Sequence, residues 1–254
     1  MMQNLRVIYI LRWREVKRFF RKKARLFGSI GQPLLMIFAF GAWFSWMFES
    51  IGQEDYFSFV VAWVVAVNTM MSSFGSWFEL IRDKEFWFIK EYIVAPVKRL
   101  YLMIWKTLWW ATIGMFQGGI LLFICSFLGL SLNGLSNILL VLLFMFWIAV
   151  LFSAFSMIFA SLVPDFQWFQ IVNSFLIMPL MMLSGAFYPL WTASSWMQIV
   201  AKFNPLAYGV DWIRWAITGE SYFSWSTDFL VLGILLVLML CVWAVCFKRM
   251  KIDN

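Results

Sequence analysis

ILLVLLFMFWIAVLF, residues 138–152, carries no charged and no amide side chain, so apolar groups point from it on every side. A strand of a lipid-facing barrel alternates apolar and polar residues, whereas an α-helix in hydrocarbon satisfies its own backbone and can be greasy all round. The run therefore reads as a membrane helix. It sits inside a stretch of 58 residues, 107–164, that has no Asp, Glu, Lys or Arg. About 20 apolar helical residues already cross a hydrocarbon core of roughly 30 Å, so this stretch is too long for one crossing. Ser131-Leu132-Asn133-Gly134-Leu135-Ser136-Asn137, a cluster of turn formers, divides it into two.

Outward from there, charge-free runs recur at 26–48, 56–78, 166–201 and 229–247. Together they predict six spans, at about 26–48, 58–78, 106–128, 138–162, 168–188 and 229–247. The composition agrees, since the 254 residues are 63% hydrophobic and only 13% charged. The expected class is all-α, a polytopic integral membrane protein. Its parts are a basic amphipathic segment (1–25), one transmembrane domain (26–247) and a short tail (248–254). The first 25 residues hold nine Lys or Arg and no sustained apolar core, so no cleavable signal peptide is expected.

The net charge of +7 could suit nucleic acid, but its placement points elsewhere. Of 20 basic residues, nine precede residue 26, six fall at 82–106 and three at 248–251. With both termini cytoplasmic, six spans put these 18 inside and leave Lys202 and Arg214 outside, the asymmetry of insertion into a cell membrane. Glu49, Glu54, Asp55, Asp211, Glu220 and Asp228 then make a mildly acidic exterior. In the N-terminal segment Val7, Ile10, Leu11, Trp13 and Phe20 alternate with basic residues, as in a helix lying along the inner lipid surface.

Between the second and third spans lies RDKEFWFIKEYIVAPVKR, residues 82–99, the most charged internal stretch. Drawn as a helix it places Phe86, Ile89, Ile93 and Val97 on one stripe, with Lys84 and Glu91 on the other side. Pro96 disfavours helix at Ala95 and ends the run. Such an element is an interfacial connector or a docking surface for a soluble partner, and periodicity alone does not separate the two.

Asn68, Gln117 and Asn173 are the notable polar groups within the spans. Interhelical hydrogen bonding is their expected role, and lining a substrate path is the alternative. Gly114-x-x-x-Gly118 permits close helix contact. Cys125, Cys241 and Cys246 read as small packing residues without metal spacing, and histidine, the commonest general base, is absent.

Two long motifs carry a resemblance. FGSWFELIRDKEFWFIKEYIVAPVKR (74–99) resembles the cytoplasmic motif of type-2 ATP-binding-cassette exporter permeases of the daunorubicin-resistance and nodulation-factor subgroup. PLMMLSGAFYPLWTASSWMQIVAKFNPLAYGVDWIR (179–214) is similar to that family's Leu-Ser-Gly and Asn-Pro-Leu-x-Tyr signature. The resemblance implies a six-helix permease that pairs with a second copy above two separate ATPase subunits. It maps a coupling helix onto the loop at about 79–105, with Glu79, Arg82, Asp83, Lys84, Glu85, Phe86, Phe88, Lys90 and Glu91 as coupling residues. It also implies a re-entrant outer segment at about 189–212, with Ser184, Gly185, Pro189, Asn204, Pro205, Tyr208 and Asp211 as its motif. No Gly-x-x-x-x-Gly-Lys-Ser/Thr phosphate loop occurs, so the chain is expected to bind no cofactor and to hydrolyse nothing. ATP and Mg are expected in the partner ATPase.

The chain departs from the family in one respect. Trp43, Trp46, Trp63, Trp87, Trp105, Trp109, Trp110, Trp168, Trp212 and Trp215 stand where small residues, chiefly glycine, are expected. An indole at a close helix contact forces neighbours apart. Two explanations follow: a genetic code that reads UGA as glycine, or tryptophan enrichment at lipid-facing positions.

The function expected from the sequence is the membrane subunit of an exporter, passing an amphipathic drug, lipid or glycan-type cargo. A self-sufficient secondary transporter or channel is the alternative, and it calls for ionisable residues inside the spans, which the five charge-free runs lack.

Overall fold

The computed structural model describes residues 28, 30–41, 56–78, 81, 99–130, 134–163, 166–185 and 187–249. Among these the regular secondary structure is all helix, without a strand, as the all-round apolar runs require. The elements are α1 (Ile30–Gly41), α2 (Tyr56–Ser73), α3 (Arg99–Phe127) and α4 (Leu135–Leu162), then α5 (Phe166–Val172), a π-helical turn (Asn173–Ile177) and α6 (Met178–Met182). A 3-10 turn (Leu190–Thr192), α7 (Ser195–Phe203), α8 (Pro205–Thr218) and α9 (Trp225–Arg249) complete the order.

Four helical segments are long and apolar enough to cross a membrane: Tyr56–Phe78, Ile104–Phe127, Leu135–Leu162 and Trp225–Cys246. They coincide with four of the six expected spans. At the other two the described residues form shorter apolar helices, Ile30–Gly41 and Gln170–Met182. The 58-residue charge-free run does hold two helices, α3 and α4, and the break falls where the turn formers cluster. Gly129 and Gly134 take positive φ there, 109° and 105°, which few other residues tolerate.

Packing sets α2 at the centre. It contacts α3, α4 and α8, and nearly its whole surface is buried. Between helices in lipid there is little hydrophobic drive, so close approach by small residues supplies the contact. Gly114 and Gly118 of α3 both face α2, where a Cβ on Gly114 would lie 3.1 Å from the Thr69 carbonyl oxygen. The small-residue pair read from sequence is therefore a packing face. α9 touches α4 and α8 and leaves Leu230, Ile234, Val237 and Leu238 exposed on its outer side.

Candidate functional site: an intramembrane cavity and a polar knot

A cavity of about 510 Å³ runs beside α2. Trp63, Val64, Val67, Asn68, Met71 and Ser72 line it from α2, with Gly75 and Phe78 just beyond that helix. From Trp63 to Ser72 the helix rises about 14 Å, and the cavity follows α2 along that length. The opposite walls come from Gln32, Pro33 and Met36 of α1, Trp110, Ile113 and Gln117 of α3, and Asn173, Met178 and Met181. Five residues of regular α-helix set two side chains about 140° apart. Asn173 and Met178 are five apart, yet both face the cavity, because the π turn closes from the Met178 N–H to the Asn173 carbonyl.

The three polar residues picked out within the spans, Asn68, Gln117 and Asn173, thus meet in one place. Ser72 Oγ donates to Gln117 Oε1, a hydrogen bond between α2 and α3. The amide nitrogen of Asn68, a residue only 9% exposed, has no hydrogen-bond partner among the described residues. Interhelical bonding, the role expected from sequence, therefore holds for Gln117 and not for the Asn68 amide nitrogen. An aromatic cluster packs around Trp63: Phe40 lies edge-on 5.5 Å from Trp63 and 5.4 Å from Phe187, and Trp63 and Phe187 are 4.4 Å apart in a tilted pair.

Next to that cluster the 184–211 motif forms a polar knot. Asn204 caps α8: its Oδ1 accepts from the Leu206 N–H at 2.9 Å, while its Nδ2 donates to the Leu180 carbonyl at 2.6 Å. Pro205 takes the first helical position, where its missing N–H costs nothing. Gly185 adopts φ 70° with no room for a Cβ against Leu190. Ser184 Oγ donates to Met181 O, and Thr192 Oγ1 donates to Pro189 O at the 3-10 turn. Tyr208 donates to the Lys202 carbonyl at 2.7 Å and stacks on Phe223. The Asp211 carboxylate accepts from the Tyr222 and Phe223 N–H groups at 2.8–3.0 Å. All seven residues of this motif are thus brought into one connected region.

One residue of the knot escaped the sequence reading. Arg214 is 2% exposed, donates from Nη2 to the Gly185 carbonyl at 2.9 Å and lies over the Phe59 ring. Its spacing of three from Asp211 on one helix was the available signal. Two residues of the expected acidic exterior are covered by protein. Asp211 and Asp228 are 1% and 0% exposed, and neither carboxylate oxygen of Asp228 has a hydrogen bond among the described residues. Lys202 and Glu220 are exposed. The coupling residues Glu79, Arg82, Asp83, Lys84, Glu85, Phe86, Phe88, Lys90 and Glu91 lie outside the described residues, as do the 1–25 segment and Trp43, Trp46 and Trp87. Among the described residues no group of three Cys, Asp or Glu could hold a metal ion.

A bundle of long apolar helices around a partly polar cavity is the build of a multi-pass membrane transporter. Sequence comparison gives the family: the ABC-2 type transporter profile matches residues 6–218, and the chain belongs to that family. It is 28% identical over 221 residues to a protein named transport permease ycf38 in Cyanophora paradoxa, covering 84% of this chain and 76% of that one. It is 26% identical over 214 residues to nodulation protein J of Neorhizobium galegae, covering 83% and 78%. Nodulation protein J of Rhizobium leguminosarum bv. viciae is 22% identical over 242 residues, covering 89% and 87%. The chain is a membrane permease of an ABC transporter, a class that works with ABC ATPase subunits.

Proposed function

We propose that two copies of this chain form the membrane part of an exporter, with two ATPase subunits docked on the cytoplasmic side. Each copy crosses the inner membrane six times, with both termini cytoplasmic and residues 189–212 dipping into the outer leaflet. ATP and Mg bind in the ATPase subunits, and this chain binds no cofactor. Closure of the ATPase pair pushes on residues 82–97, where Arg82, Asp83, Lys84, Glu85, Lys90 and Glu91, with Glu79 just before them, supply charge and Phe86 and Phe88 supply apolar anchors. The helices then tilt and expel an amphipathic drug, lipid or glycan-type molecule. Coupling here means that cargo binds the inward and outward states with different affinity.

The family match carries this reading, because residues 6–218 take in both the charged stretch and the 179–214 motif. A self-sufficient secondary transporter needs ionisable groups along its path. No Asp, Glu, Lys or Arg is among the described residues lining the cavity. The test is copurification with the candidate ATPase, comparing the native chain with the double variant Glu85→Arg, Glu91→Arg. Loss of ATPase binding is expected. Retained binding with cargo-stimulated ATP turnover overturns the coupling role.

A further inference from the structure

We propose that the helical segment Tyr56–Phe78 has two registers against α4, one step apart, and slides between them during transport: Ser76 meets Ser156 in the register seen here and Ser153 in the other. The inference rests on the permease reading for the force that drives the slide, and on this helix pair for everything else.

The two helices run in the same direction, which allows one to move along the other in register. Phe74 lies 6.2 Å from both Phe152 and Phe155, Ser76 meets Ser156, and Trp77 stacks 5.7 Å from Phe159, so residue numbers rise together on both. On α4 the sequence Phe152-Ser153-Ala154-Phe155-Ser156 presents the same Phe-Ser pair twice, three residues apart. Residues so spaced are neighbours on a helix surface, about 4.5 Å apart along its axis. Only one of the two pairs is in use. Ser156 shares a buried hydrogen bond with Ser76, whereas the Ser153 hydroxyl is buried and has no partner among the described residues. Buried hydroxyls are nearly always bonded, and a second register gives Ser153 the partner that it lacks here.

The contact at Ser76 is also built to open. In hydrocarbon a hydroxyl pulled from its partner is costly, because no water replaces the lost bond. Here neither hydroxyl is stranded. Ser76 Oγ lies 2.9 Å from the Ser73 carbonyl and Ser156 Oγ 3.1 Å from the Ser153 carbonyl, so each donates to its own helix when the pair parts. Further along the segment, Thr69 Oγ1 donates to the Val65 carbonyl and Ser73 Oγ to the Thr69 carbonyl, both at 2.8 Å, so those protons tie the segment to no neighbour. The rings accommodate the step as well: moved three residues along α4, Phe74 comes beside Phe152 and Trp77 beside Phe155. One-turn slides between packed helices are an established route between two states. In the permease reading the coupling stretch follows this segment on the cytoplasmic side, and a push from there moves Ser76 outward, from Ser156 towards Ser153.

The experiment places spin labels at Phe78→Cys and Leu139→Cys, exposed positions at opposite ends of the helix pair, so that a slide is read nearly in full. Cys125, Cys241 and Cys246 are replaced by alanine, which leaves label at these two sites alone. Pulsed EPR on the full chain in phosphatidylcholine nanodiscs, without ATPase, is expected to show two distances about 4 Å apart, the longer one dominant. Ser153→Ala should shrink the shorter population about fivefold, the worth of one hydrogen bond, without loss of melting temperature. Ser156→Ala should melt with the parent, because Ser76 falls back on the Ser73 carbonyl. In the complex with the candidate ATPase, a non-hydrolysable ATP analogue should enlarge the shorter population. A single distance in the chain alone overturns the second register, and so does a shorter population that Ser153→Ala leaves untouched. A marked fall in melting temperature in Ser156→Ala overturns the free opening of the contact, and populations that ignore the nucleotide overturn its place in transport. The readings on the chain alone do not depend on ATPase binding, so a failed copurification decides the coupling role and not the two registers.

Discussion

Arg214 holds its guanidinium carbon 3.9 Å from the centroid of the Phe59 ring, joining α8 to α2 through a cation over an aromatic face. The same group donates to the Gly185 carbonyl, so three parts of the fold meet on one buried side chain. A lysine ammonium is a compact charge and does not present a planar fork to both partners. Arg214→Lys should therefore lower stability by about 1–2 kcal/mol. Arg214→Ala should lower it by about 2–4 kcal/mol, because it removes both the charged hydrogen bond and the cation–π attraction to Phe59. Thermal unfolding followed by tryptophan fluorescence in lipid–detergent micelles reads this. An alanine variant that melts with the wild type refutes the assignment.

Asp211 does comparable work for the chain that leads into α9. Its carboxylate accepts the N–H groups of Tyr222 and Phe223 and so fixes the turn after Gly219. Asp211→Asn keeps one acceptor oxygen, while Asp211→Ala keeps none. Amide exchange at residues 222 and 223 should quicken in the order wild type, Asn, Ala, with a stability loss of about 1–3 kcal/mol in the alanine variant. Unchanged exchange in Asp211→Ala would show that the turn is held by something else.

Gly185 tests the geometry between these two. A residue with a Cβ is disfavoured at φ 70°, and here the Cβ would also lie 2.6 Å from Leu190 Cγ. Gly185→Ala is expected to cost about 1–3 kcal/mol from strain at that φ. It should also pull the carbonyl away from Arg214. Combined with Arg214→Ala, the two effects should add to less than their sum, since both break one link. Full additivity in a double-mutant cycle argues that the Gly185 carbonyl and Arg214 do not act together.

Much of this fold was legible because hydrocarbon leaves few alternatives. The run 138–152 could only be a helix, and the turn formers at 131–137 could only interrupt it. The 184–211 motif was legible as a set of residues through its resemblance to the family signature, and the capping by Asn204 and Pro205 is the local physics that the structure adds. What escaped was burial of charge. Asp211, Arg214 and Asp228 were read as exterior residues because topology counting places charges between spans outside. It carries no information on whether a short helix folds back and covers them. Nor could periodicity show that Asn68, Gln117 and Asn173 meet. They lie on three separate segments, and Asn173 reaches the cavity beside Met178 through a π turn that no regular 3.6-residue pattern encodes.

Asp228 has the opposite character to Asp211. It sits in the first turn of α9, fully buried, and no donor among the described residues reaches its carboxylate. A carboxylate without donors in such a place is unfavourable, while a neutral amide of the same shape loses less on burial. Asp228→Asn should leave the unfolding temperature unchanged or raise it, and Asp228→Arg should abolish the folded protein. A sharp drop in stability in Asp228→Asn, read by the same melting experiment, would mean that the charge has a partner in the assembled transporter.

The tryptophans bear on the identity of the chain's own residues. Enrichment at lipid-facing positions accounts for Trp168, which is 47% exposed. It does not account for Trp63, Trp109, Trp110 and Trp212, which are 1%, 8%, 5% and 2% exposed. The indole N–H groups of Trp63 and Trp212 are buried without a partner among the described residues, which tryptophans in cores seldom are. Trp212 is pressed flat on Phe144 with ring centroids 3.6 Å apart, closer than the 4.5–7 Å that aromatic pairs prefer. Trp110 lies directly on Gly75 with no space for a Cβ between them. Such crowding is what glycine at these positions relieves. The expected finding is UGA at the ten codons, with a natively expressed chain lighter by one indole-bearing side chain at each. A version with glycine at all ten should also melt above the tryptophan form, because interhelical contacts tighten when small residues return. UGG codons, or an intact mass equal to the written sequence, remove the explanation and leave ten tryptophans to be packed as they stand.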